Sequence, residues 1–303
     1  MSPTRVAVVQ AGSVPFDAMA CVEKAERWLA EASSAGARLA LFPEAFVGGY
    51  PKGADFGARV GSRSPEGRTE FRRYWDSAVE VPGPATIRMA KAAQRNRIWL
   101  VIGVIERDGG TLYCTVLFFS PEGALAGKHR KLMPTAMERL IWGCGDGSTL
   151  PVVDTGFGRM GAVICWENYM PLLRAAMYAK GVQLYCAPTV DDRETWLPTL
   201  RHIALEGRCY VLSSAQFVCG ETAATSIAGG SAIIGPLGEA LAGPLRNGEG
   251  ILSAEIDLDR IAEGKFDLDV VGHYARPDVF HLEVNEAPQT PVGFGPLRTE
   301  PAD

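Results

Sequence analysis

The chain has no run of apolar residues near the roughly 18 needed to cross a bilayer, so no membrane span is expected. No long cluster of Lys and Arg is present and the net charge is −5, which argues against nucleic acid as a dedicated partner. No basic N-terminal region leads into an apolar core and cleavage site. Val6 to Val9 instead already reads as a strand, so a secretory leader is not expected. The seven cysteines (Cys21, Cys114, Cys144, Cys165, Cys186, Cys209 and Cys219) form no CxxC pair and no cluster with His. That scatter disfavours structural zinc and fits a reduced, cytoplasmic protein. Neither a GxGxxG after a strand nor a Walker-type GK[ST] occurs, and GCGDGS is a poor phosphate cradle. Asp191, Asp192 and Glu194 lack acidic partners for a metal and read as a solvated loop. Low-complexity core segments and fixed-period repeats are missing too.

What is present is an ordinary globular composition over 303 residues, enough to bury a substantial core. Composition nowhere shifts sharply enough to cut the chain, so residues 1–285 are expected to form a single domain. Residues 286–303, with Pro288, Pro291, Pro296 and Pro301 among polar neighbours, are expected to form a loose tail.

Arg5–Gln10 reads as a strand. Met19, Val22, Ala25, Trp28, Leu29 and Ala32 then recur at helical spacing, and Arg38–Phe42 is a second strand ending at Pro43-Glu44. Strand, helix, strand signals a layered α/β fold. Residues 45–83, rich in glycine and aromatics, read as a long irregular segment and a candidate interface. A helix over Pro84–Arg97 and a hairpin of Ile98–Glu106 with Thr111–Ser120 follow. Lys128–Ser148 reads as another loop. Strands at Val152–Thr155, Met160–Ile164, Val182–Ala187 and Tyr210–Gln216 alternate with helices at Met170–Lys180 and Trp196–Cys209. Strands at Ser231–Ile234, Ala240–Gly243 and Ile251–Ile256 and a short helix from Asp259 complete the order.

Three groups stand beside strand ends in apolar surroundings: Glu44, Lys131 and Cys165. Taken singly, each has a plain reading as a cap, a solvated charge or a core thiol. Cys165 ends a strand just before Pro171, a residue suited to a helix's first turn, and that placement would expose its sulfur and favour thiolate. Together the three offer a nucleophile, a base and a cation, the requirements of thiol-dependent acyl transfer. The four histidines (His129, His202, His273 and His281) allow a Cys–His alternative, although a lone His is more often structural.

Four motifs, LFPEAFVGGYPKG, HRKLMPTAMERLIWGCGDGS, GAVICWENYMPLLR and VGHYARPDVF, resemble those of the nitrilase family within the carbon–nitrogen hydrolase superfamily. They occur in family order, and the resemblance runs from about Arg5 to about Phe280. It implies an α/β fold, the four-layer αββα sandwich, pairing with a second subunit. It also implies Glu44 as general base, Lys131 as catalytic cation, Cys165 as nucleophile and Glu138 as a second glutamate orienting the site. CWEN followed by Pro171 is closer to true nitrilases than to the amidase branches. Cys144 stands where Gln is more usual and is a candidate second thiol near the site. The chain runs only a short way past ARPDVF, which bears on any assembly that depends on a longer tail.

The expected reaction is hydrolysis of a nitrile to acid and ammonia through a Cys thioimidate and thioester, with no metal or organic cofactor. Tyr50, Trp142 and Trp166, with Phe46, are candidates for the pocket wall. The expected partners are a small-molecule nitrile and further copies of the chain, as a dimer or a larger helical assembly, with no nucleic acid and no membrane. The alternatives are an amidase or carbamoyl-type hydrolase of the same superfamily, and an idle assembly protein that keeps the fold.

Overall fold

The computed structural model describes residues 3–290 and residue 292. Strands β1 (Thr4–Gln10), β2 (Leu39–Leu41) and β3 (Trp99–Asp108) run parallel at the centre of the first sheet. Antiparallel strands β4 (Thr111–Phe119) and β5 (Leu125–Arg130) extend one side. The second sheet repeats the plan with β6 (Val152–Asp154), β7 (Arg159–Ala162), β8 (Leu184–Cys186), β9 (Tyr210–Ser213), β10 (Phe217–Val218), β11 (Ile227–Ile234) and β12 (Ala240–Arg246). Here β7, β8 and β9 are the parallel strands. The last strand, β13 (Gly250–Ile256), returns to the first sheet beside β1.

Side chains on a strand alternate between faces, and here both faces are buried. Val6, Val8, Leu39, Leu41 and Val101 meet Met160, Ala162, Leu184, Cys186 and Leu212 between the sheets. The opposite face of the first sheet, Ala7, Val9, Ala40 and Leu100, packs on helices α1 (Ala18–Ser34) and, beyond a charged helix α2 (Pro65–Asp76), α3 (Pro84–Asn96). On the other side Val163, Tyr185, Val211 and Ile234 pack on α4 (Pro171–Ala179) and α5 (Trp196–Gly207). The chain is thus the expected four-layer αββα sandwich. A short helix α6 (Asp259–Gly264) follows β13.

Two segments expected to be irregular hold regular elements. Within 45–83, Ser64 caps α2 by accepting from Gly67 N–H, and Pro65 occupies its first position. Its sequence EGRTEFRRYWD buries only Gly67 and Tyr74, so no apolar stripe announces it. The aromatics that suggested an interface pack within the subunit: Phe46 and Tyr74 are buried, and Phe56 stacks edge-on against Phe71. Strand β5 begins ahead of the expected loop at 128–148. It is a polar edge strand in which only His129 is buried, so apolar alternation is missing there too.

Of the expected tail, residues up to 290 and residue 292 are described. There Glu286 pairs with Lys180, and Gln289 N–H donates to Asp146 at 2.7 Å. Residue 291 and residues 293–303 lie outside the described residues.

Candidate active site

Glu44 is placed by a glycine. After β2 the chain crosses β3 at Gly103, where an added Cβ would lie 2.3 Å from Pro43 O and 2.7 Å from Glu44 Cα. Gly103 N–H donates to Pro43 O and Val47 N–H to Gly103 O. This close approach turns Glu44 into the space between the sheets, where it is fully buried.

Lys131 directly follows β5, its N–H donating to Cys114 O at 2.8 Å. Its Nζ donates to Glu44 Oε1 at 2.7 Å and to Glu138 Oε2 at 2.9 Å. Glu138 lies in a 3-10 helix over Ala136–Leu140. It also accepts from Tyr50 OH at 2.8 Å and from Thr135 N–H at 2.6 Å. One ammonium therefore joins two carboxylates in a buried chain. Glu44 Oε2 has no hydrogen-bond partner among the described residues.

Cys165 opens a 3-10 helix over Cys165–Tyr169, three residues past the end of β7. Its φ of +50° is left-handed, costly for a residue with a Cβ. Asn168 holds the turn by donating through Nδ2 to Cys165 O at 2.8 Å and Val163 O at 2.9 Å. Arg174 grips the Asn168 carbonyl in turn and pairs with Glu206. Thr189 Oγ1 donates to Cys165 Sγ at 3.1 Å.

The expectation of an exposed, thiolate-favouring position is corrected here. Cys165 is 3% exposed. Burial and then the negative charge of Glu44 raise its pKa, with Lys131 pulling the other way. α4 starts only at Pro171, and Cys165 opens the separate 3-10 helix that precedes it. Burial and the Glu44 charge both disfavour the thiolate in the resting site. Burial also raises the Glu44 carboxyl, opposed mainly by Lys131. For Lys131 burial disfavours the ammonium, but Glu44 and the neighbouring anionic groups outweigh it, leaving its pKa well above the usual lysine range. A base with raised pKa beside a thiol, with a fixed cation at hand, can move a proton and stabilise a developing anion.

A cavity of about 370 Å³ opens onto Cys165 and Glu138, with Tyr50, Met137, Ile141, Trp166 and Val190 among its lining. Trp166 is 41% exposed, with Arg193 stacked on its ring and Nε1 donating to Asp191 at 3.0 Å. Trp142 is not part of this lining. It is buried behind the site, edge-on to Tyr50, with its indole N–H on Tyr74 OH and the Lys131 ammonium 5.6 Å from its ring centroid. Phe46 lies in the core between the first sheet and its helices, away from the cavity.

The second thiol beside the carboxylates is Cys114, its Sγ 3.5 Å from Glu44 Oε1, whereas Cys144 is exposed. Period-two alternation of Leu112, Cys114, Val116 and Phe118 along β4 is the signal that would have placed Cys114 between the sheets. Thr189 and Asn168 carried no such signal.

The carbon–nitrogen hydrolase family model matches residues 5–266, and the chain belongs to that family. It is 57% identical to an aliphatic nitrilase of Sinorhizobium fredii over 96% of this chain and 99% of that protein. It is 53% identical to nitrilase 1 of Arabidopsis thaliana, over 96% and 89% respectively. A bifunctional nitrilase/nitrile hydratase of Lupinus angustifolius is 53% identical, over 100% of this chain and 92% of its own. Among solved structures, an amidase from Nesterenkonia sp. superposes with a TM-score of 0.68 at 24% identity, covering 86% of this chain and 92% of that one. At that identity the match speaks for the fold.

Proposed function

We infer that the chain is a nitrilase, hydrolysing an organic nitrile to the carboxylic acid and ammonia. The observation that carries the chemistry is the buried Glu44–Lys131–Glu138 chain beside a cavity that ends on Cys165. Identity above one half to proteins named nitrilases, over nearly the whole chain, supports nitriles as the substrate class.

Glu44 takes the Cys165 proton as the sulfur attacks the nitrile carbon. One C–N π bond breaks and its electron pair goes to nitrogen. That nitrogen takes a proton from the Glu44–Lys131 pair, giving a thioimidate. A water, deprotonated by Glu44, adds to the carbon to form a tetrahedral intermediate. Proton transfer to nitrogen lets ammonia leave and gives a thioester. A second water, activated in the same way, releases the acid, and the sulfur recovers its proton. The sum is one nitrile and two waters to one acid and one ammonia. Lys131 stabilises the anionic intermediates throughout. Glu138 holds the Lys131 ammonium together with Glu44, and Tyr50 fixes Glu138. Tyr50 and Trp166 line the substrate's path, while Trp142 acts from behind as a wall for Tyr50 and Lys131.

The reading includes a homo-oligomer in a reducing cytoplasm. The scattered, odd-numbered cysteines support the compartment. Among the described residues no helix is long and apolar enough to cross a membrane. Residues 1–285 act as a single catalytic domain in this account.

Ammonia release from a panel of nitriles and their matching amides tests the function. The account expects acid and ammonia from nitriles with at most minor amide by-product. Faster hydrolysis of amides, or no action on any nitrile, moves the protein to the amidase reading.

A further inference from the structure

Another buried carboxylate, outside the reacting set, lies between the segments that carry Lys131 and Cys165. Glu167 is 1% exposed. Its Oε1 accepts from the N–H of Leu132, the residue after Lys131, at 2.6 Å. Its Oε2 accepts from the N–H of Ile164, the residue before Cys165, at 2.9 Å. The same oxygen lies 2.9 Å from His129 Nε2. His129, fully buried at the end of β5, places Nδ1 2.7 Å from Thr149 O.

The proton count follows from the partners. A backbone carbonyl only accepts, so Nδ1 carries a hydrogen. Nε2 is left to face the Glu167 carboxyl. The nearby Glu167 favours the protonated, imidazolium form of His129 inside the protein. Burial works against that charge, but the Glu167 anion outweighs it and raises the His129 pKa.

A helix cap explains one of these bonds, since Glu167 reaches back to the N–H at the start of its own 3-10 helix. It does not explain the other oxygen on Leu132, nor the buried imidazole behind both. We propose that the Glu167–His129 pair is a positioning clamp that sets the distance between Lys131 and Cys165 by holding the backbone N–H adjacent to each. The proposal rests on the roles given above to Lys131 and Cys165. Neither Glu167 nor His129 touches substrate in it. A carboxylate is required because both backbone groups donate. An amide at position 167 offers one acceptor oxygen and must turn its NH₂ toward one of two N–H groups.

The test uses the full chain carrying Glu167→Gln, His129→Leu or His129→Gln. Two rates are read: alkylation of Cys165 by iodoacetamide, followed peptide by peptide, and ammonia release from a nitrile. Exposed Cys144 and Cys219 report the reagent, and buried Cys186 and Cys209 report unfolding. Glu167→Gln and His129→Leu should slow Cys165 alkylation and kcat together by about 10–100-fold, the scale of a misplaced reacting group. KM should hardly move and Cys186 and Cys209 should stay protected. His129→Gln, whose amide still donates to Glu167, should recover most of the loss. Parental Cys165 alkylation in Glu167→Gln and His129→Leu overturns the clamp. So does a loss equal in His129→Gln and His129→Leu, or one accompanied by labelling of Cys186 and Cys209, which marks the pair as purely structural. If the parent releases no ammonia from nitriles, the functional reading fails, and the alkylation rates still decide the clamp.

Discussion

Replacing Lys131 with Met removes one charge from a buried site that holds two carboxylates. Methionine matches the lysine stem, so the change is electrostatic more than steric. Lys131 is fully buried and donates to both Glu44 and Glu138. Breaking a buried ion pair by deleting one partner costs about 3–5 kcal/mol, because the remaining charge stays buried without compensation. For a domain of this size that lowers Tm by about 5–8 °C. The cost must also depend on pH, with a definite sign. Without the ammonium, which opposes the effect of burial, Glu44 takes up a proton in the folded state at a pH where the unfolded chain, near pKa 4.3, has lost it. The folded variant then binds more protons than the unfolded one, so its stability falls as pH rises above that range. The slope is about 1.4 kcal/mol per unit for each extra proton. Thermal unfolding of parent and variant from pH 5 to pH 8 measures this directly. The gap in Tm should widen steadily with pH, and Glu44→Gln added to the variant should narrow it. A gap that stays constant, or a variant as stable as the parent at pH 8, refutes the buried ion chain. Turnover should fall with it, by about 10²–10³-fold, the scale of losing a preorganised electrostatic partner.

Further outcomes follow from the same geometry. Cys165→Ala should abolish nitrile turnover with an unchanged far-UV spectrum, while Cys144→Ser should keep most activity because that thiol is exposed; ammonia assays on both decide which thiol reacts. The acid limb of kcat/KM should lie above the ordinary carboxylate range, because burial raises the Glu44 carboxyl and protonation disables it as base; a limb at or below pH 4 contradicts that. Gly103→Ala should cost about 1–3 kcal/mol, the scale of overpacking, and disproportionately more activity. Its Cβ would press on the backbone of Pro43 and Glu44, and denaturant melts alongside kcat separate the two effects.

Much of this was legible in the sequence wherever burial imposes a pattern. The strands that form the centres of both sheets are apolar enough to stand out, and α1, α3, α4 and α5 carry inward-facing stripes. Helix α2 and strand β5 escaped because their residues face solvent or neighbouring charges, leaving only a cap and Pro65 as local signs of α2. Glu44, Lys131 and Cys165 were legible as strand-end residues in apolar surroundings, yet their meeting depends on how two sheets face each other. The thiol's burial and the Glu44 charge beside it, which disfavour thiolate, were not legible because position along the chain says nothing about either. Cys114, Thr189, Asn168 and the His129–Glu167 pair act through contacts between distant segments, which spacing along the chain does not encode.

The central claim is that a nitrile becomes covalently attached to Cys165 and is released by water that Glu44 activates. Acid quenching of the enzyme during steady-state turnover of a nitrile, followed by peptide mass spectrometry, tests it most directly. The account predicts an acyl or imidoyl adduct on the Cys165 peptide, accumulating further in Glu44→Gln, where water attack is slowed. Nitrile turnover with an unmodified Cys165 peptide in both proteins, or an adduct on Cys114 or Cys144 instead, would contradict it.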